Sequence, residues 1–148
     1  MRTLMSLVLA SALAFAAVPA AAQAIDWDKV DAALGRKGAV SGDVHRYGFP
    51  RTDLNVTLDG IAIKPALALG GWLAFKPAHG GAMVMGDLVL LESEINPVLT
   101  VLKQNGIDIT AIHNHVLRGN QATYYMHVGG HGDPSKLATV ILQALQSS

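Results

Sequence analysis

At 148 residues the chain is long enough for one domain. It is 51% hydrophobic and 15% charged with no net charge, which excludes a disordered polyelectrolyte and a phosphate-neutralising nucleic-acid binder. It contains no cysteine, so disulfides, thiolate metal sites, cysteine nucleophiles and a lipidated amino-terminal cysteine are excluded as well.

Residues 1–24 carry Arg2, then an apolar run from Leu4 to Val18, then Pro19 and the small residues of Ala22-Gln23-Ala24. That is the three-part pattern of a secretory signal cleaved after Ala24. The apolar run is short of the roughly 20 residues that span a membrane, and the rest of the chain has no longer one. The expectation is a periplasmic or secreted protein, residues 25–148 forming a single domain. Without Arg2, ten Lys and Arg face eleven Asp and Glu.

Asp26 to Leu34 has apolar residues at helical spacing, acidic residues in its first turn and Gly35 to stop it. Val40 to Phe49 predicts a strand with His45, Tyr47 and Phe49 on one face. Leu54 to Leu58 alternates, and Asp59-Gly60 predicts a hairpin returning through Ile61 to Ile63. Leu69 to Phe75 and Met83 to Leu91 read as strands buried on both faces, Gly86-Asp87 as a bulge, and the methionines as core. Asn96-Pro97 predicts a helix start, with a stripe through Leu102. Strands follow at Ile107 to Leu117 and Ala122 to Val128, and Asp133-Pro134 opens a last helix. The whole predicts an α+β domain: a mostly antiparallel sheet of about six or seven strands with two to three helices packed on it.

Four of the six histidines, His113, His115, His127 and His131, fall within AIHNHVLRGNQATYYMHVGGHG. Histidines at i and i+2 on a strand share a face about 6.5–7 Å apart, and neutral imidazole suits zinc and its neighbours. His127 joins them only if the two strands pair in the right phase. A two-residue turn at Gly119-Asn120 puts His127 opposite Ile112, on the wrong face, so the site requires a loop of odd length or a bulge. His131 lies about 13 Å beyond His127 on a straight strand, which makes it a pocket wall or supporting residue unless Gly129-Gly130 bends the chain back.

Glu92 and Glu94 follow an apolar strand. Glu92 is the candidate fourth ligand or general base, and Glu94 a supporting residue. The alternatives are two solvated carboxylates, and histidines that form a hydrogen-bonded polar cluster. Arg51 reads either as a contact for an anionic substrate or as half of a surface pair with Asp53. The tripeptide HNH alone does not make a nuclease.

GDLVLLESEINPVL, ITAIHNHVL, YYMHVGGHGDP and PRTDLNVTLDG resemble the LppY/LpqO family of bacterial exported proteins. The resemblance covers roughly Asp26 to Leu145 and implies an exported protein of poorly defined biochemical role. Some members are lipoproteins and some carry two copies of the unit. This chain lacks the lipid-attachment cysteine and has one copy, an arrangement compatible with a homodimer. The spacing of His113, His115 and His127 is also similar to the three-His site of zinc ester hydrolases and, more loosely, of acetolactate decarboxylase. The resulting expectation is an exported protein that binds a metal ion, zinc by preference, and hydrolyses small esters or acyl compounds. The competing expectation is a non-catalytic periplasmic module that binds a metal or small ligand.

Overall fold

A computed structural model describes residues 24–147, so the expected signal segment lies outside the described residues apart from Ala24. The elements are, in order, helix α1 (Trp27–Leu34), strands β1 (Ala39–Ser41), β2 (Val44–Pro50), β3 (Thr57–Leu58) and β4 (Ile61–Ala62), the short helix α2 (Pro65–Ala68), strands β5 (Gly70–Ala78) and β6 (Gly81–Leu91), helix α3 (Glu92–Gln104), strands β7 (Asp108–His113), β8 (Gly119–Asn120) and β9 (Thr123–Gly132), and helix α4 (Pro134–Leu145). Six strands form one antiparallel sheet in the order β1-β2-β5-β6-β9-β7. Three short ones form a second, β4-β3-β8. The α+β class follows from the sequence pattern. The additional small sheet comes from two-residue strands too short to give a periodic signal.

The two faces of the large sheet have different fates. One carries Tyr47, Leu73, Phe75, Val84, Leu88, Leu90, Met126 and Val128, which pack with Val30 and Leu34 of α1, Val98 and Leu102 of α3 and Ile141 of α4 into the main core. Gly86 lies on this face without any bulge: β6 keeps unbroken register with both neighbours, and a Cβ at Gly86 would lie 2.5 Å from Leu73 Cδ2. The glycine is there for close packing.

The opposite face is covered at one end only. Val56 and Leu69, with Leu54 and Ile63, pack on Val89 and Tyr125 to make a second, smaller core. The Asp59-Gly60 hairpin is present with positive φ at both residues, the conformation of the tight turn that suits twisted strands. Beyond this cover the sheet is bare. Met83 and Met85 are 51% and 54% exposed, so the expectation that they are core is wrong for these two and right for Met126, which is fully buried.

Helix α3 begins at Glu92, not at Asn96, and Pro97 lies inside it. The Glu94 carboxylate accepts the Leu91 N–H at 2.8 Å, which caps the helix start upstream of the residues that look like a cap. On a helix, positions two apart point to nearly opposite sides. Glu92 and Glu94 therefore do not share a side as they would on a continued strand.

Candidate metal centre

Strand β7 starts on the face of the main core. Ile109 pairs with Val128, and both pack into that core. Regular alternation from there would carry His113 into the core side. A β-bulge between Ile109 and Ala111 changes the phase, so that Ala111 pairs with His127 and His113 with Tyr125. Cross-strand partners share a face, so His113 and His127 emerge together on the half-covered side. The last pair, His113 with Tyr125, closes a connection of odd length, residues 114–124, which meets the condition that the sequence set for the site, and the bulge lets that phase coexist with Ile109 in the core.

His115 arrives differently from expectation. β7 stops at His113, and His115 lies in the bend that follows. The connection is tied down further along. Gly119-Asn120 is not a hairpin turn but strand β8, paired with Leu58 and Thr57 of β3. Arg118 meets Asp59 at 3.2 Å, and the Gln121 side chain accepts the Asn55 N–H at 2.9 Å. His115 itself lies flat on Tyr125, with centroids 3.8 Å apart and planes 8° apart. Tyr125 is held by burial and by a hydrogen bond from its hydroxyl to the Ala68 carbonyl. Burial raises its hydroxyl above the usual phenol range, and the negative charge of Asp87 adds to the shift.

The donors converge. The Nε2 atoms of His113 and His127 are 2.8 Å apart, and one ligand nitrogen from each of His113, His115 and His127 lies within 4.8 Å of the others. Two imidazoles on one tetrahedral zinc stand roughly 3.4 Å apart, given nitrogen–metal bonds of about 2.0–2.1 Å. His113 and His127 are slightly inside that distance. His113 and His127 are half-buried, so the open side of the group is the side of His115. A cleft of about 610 Å³ between Trp27, Pro77 and Asp133 is lined by other residues.

The other candidates fall outside this group. Glu92 is exposed in the first turn of α3. Glu94 is engaged: Arg51 Nη1 and Nη2 donate to it at 2.7 and 3.0 Å, in addition to its helix cap. The same guanidinium donates to Asp53 at 2.8 Å and to the Val89 carbonyl at 2.9 Å. Arg51 is thus enclosed by two carboxylates and a carbonyl, which assigns it to the scaffold. His131 remains on β9, which runs on without a bend through Gly129-Gly130 to pair Met83 with His131.

One residue that the sequence signal concealed belongs beside the triad. Asp87 pairs directly with His127 across β6 and β9 and shares its face. It is 9% exposed, and its Oδ1 is buried with no hydrogen-bond partner among the described residues. A desolvated carboxylate without a donor is expensive, and its usual remedy is a nearby cation or N–H. The lone acid in the apolar run MVMGDLVLL is the signal that could have found it.

Fold and site together define a small α+β protein with a surface three-histidine group able to hold a metal ion. The chain belongs to the family described as Domain of Unknown Function (DUF1259), whose model matches residues 28–147. No curated protein and no solved structure matches it. Among the described residues no helix is long and apolar enough to cross a membrane.

Proposed function

We propose that the protein binds one transition-metal ion, with zinc the best fit, through His113, His115 and His127, and that it does so after export. The observation that carries this reading is the convergence of three ring nitrogens within 4.8 Å beside a buried carboxylate that lacks a donor. Three neutral imidazoles and no thiolate suit zinc, and three protein ligands leave one position open. When bound, such an ion supplies Lewis acidity and makes water nucleophilic near neutral pH.

The chain's own contribution is positional. Tyr125 supports the His115 ring, the bulge in β7 presents His113, and Asp87 stands behind His127. The exposed side at His115 leaves room for a small ester or acyl compound. Asp87, rather than the exposed Glu92, is the carboxylate next to the triad. A second reading, a metal carrier without turnover, is favoured by the exposed setting of His115. The amino-terminal sequence pattern supports the exported location, and the motifs shared with the LppY/LpqO proteins agree with it.

The test is metal analysis of protein purified without a histidine tag, wild type against His113→Ala/His115→Ala, followed by an ester panel with and without chelator. A stoichiometric ion lost in the variant supports the site. Equal metal in both removes it. Turnover abolished by chelator supports the hydrolase, whereas loaded protein without turnover leaves the carrier.

A further inference from the structure

The bare end of the half-covered face carries a second set of metal-ligating side chains. Met83 and Met85 alternate outward on β6, and Val84 between them is buried in the core. Both are more than half exposed, on a strand whose next five residues, Gly86 to Leu90, are all buried. His131 on β9 is the direct cross-strand partner of Met83 and is also exposed. Directly opposed residues have Cβ atoms about 4.5–5.5 Å apart, within easy reach for an imidazole and a flexible thioether. Met85 is flanked across the sheet by Ala74 and Gly129, so its side chain has room to lie along the surface toward His131. Lys76, the other neighbour of Met83, is drawn aside by Asp43 at 3.6 Å.

We propose that Met83, Met85 and His131 form a site for a soft monovalent ion, Cu(I) or its analogue Ag(I). Two neutral thioethers and one imidazole are soft donors that favour Cu(I) and hold zinc or magnesium poorly. A polar solvent face needs no methionine, and a methionine pair with a histidine directly opposite supplies the three donors of a trigonal site. The site is distinct from the histidine triad: His127 and His131 are four residues apart on one straight strand, about 13 Å along it.

The experiment is an anaerobic titration of metal-free protein with Cu(I) in competition with a chromogenic Cu(I) chelator. The forms compared for Cu(I) are a triad variant with alanine at His113, His115 and His127, and the same variant with Met83→Leu/Met85→Leu or His131→Ala added; zinc uptake is compared between wild type and Met83→Leu/Met85→Leu with the triad intact. Leucine keeps size and apolar character at two exposed positions, so the double variant folds, and circular dichroism checks that it does. The triad variant is expected to withdraw one equivalent of Cu(I) from the chelator. Adding the two leucines to the triad variant is expected to lower its Cu(I) affinity about tenfold or more, with added His131→Ala in between, whereas the leucines with the triad intact leave zinc uptake at the wild-type level. Failure of the triad variant to hold Cu(I), or the same Cu(I) affinity after the leucines are added to it, overturns the proposal without bearing on the zinc site.

Discussion

Asp87 and His127 face each other across the β6–β9 ladder, and among the described residues none donates a hydrogen bond to the buried Asp87 Oδ1. His127 in turn directs its Nε2 at His113, leaving Nδ1 as the ring atom that can serve Asp87. Histidines that hold metals commonly donate their second N–H to a carboxylate, which fixes the ring and raises its basicity.

Replacement of Asp87 therefore has two opposite effects. Asp87→Leu removes a desolvated acid, so the metal-free protein gains about 1–3 kcal/mol in urea unfolding. The same change weakens zinc binding by about 10–100-fold, read by competition with a chelator. Unchanged zinc affinity would reduce Asp87 to a packing residue.

Glu94 is predicted to matter for stability and not for metal. Its ion pair with Arg51 is largely buried, with side-chain exposures of 13% and 17%, and it also caps α3. Removal of Glu94 leaves the guanidinium with the Val89 carbonyl and with Asp53, whose carboxylate lies at the more exposed edge. Glu94→Ala is expected to cost about 2–4 kcal/mol in denaturant unfolding, the partial exposure of both groups allowed for, with metal stoichiometry retained. Loss of the metal from a folded variant would return Glu94 to the site.

A third prediction concerns pH. The Tyr47 hydroxyl donates to Asp31 at 2.8 Å and holds that carboxyl below the usual range, with smaller help from the Gly38 N–H and Lys37. A lowered folded value contributes stability above the unfolded value, near 3.9, which is lost as pH falls through the folded one. For Tyr47, burial first and Asp31 second raise the phenol above its usual range. That contribution is present below about pH 10 and is lost as pH rises beyond it. Tyr47→Phe should therefore flatten the stability profile at both extremes, its loss relative to wild type being greatest between about pH 4 and 10 and shrinking toward either end. Urea midpoints measured from pH 3 to 11 check this, and an unchanged profile contradicts it.

The large sheet was legible because its strands are long enough to show alternation or unbroken apolar character, as in Met83 to Leu91 and Ala122 to Val128. The small sheet was not, since strands of two residues have no period to read. The start of α3 was misplaced because Asn96-Pro97 has the chemistry of a helix start, whereas the operative cap is Glu94 accepting the N–H of Leu91, an apolar residue that does not read as a cap, with Arg51 holding the carboxylate from elsewhere in the chain. His113, His115 and His127 were legible by spacing and by a stated condition on strand phase. The odd-length connection that satisfies it, residues 114–124, is set by the pairing of β8 with β3, and the bulge near Thr110 that fits this phase to the core has no local signature. Asp87 was passed over because a glycine beside it suggested a bulge.

The proposed function requires three imidazoles to meet at one ion. Zinc-edge X-ray absorption of the tag-free, zinc-loaded protein reads the coordination shell directly. The account predicts one zinc per chain with a shell of nitrogen and oxygen at about 2.0–2.1 Å, three imidazoles in its multiple-scattering pattern, and loss of that pattern in His113→Ala/His127→Ala. Zinc bound with fewer than three imidazoles, or with the same pattern in the variant, contradicts it.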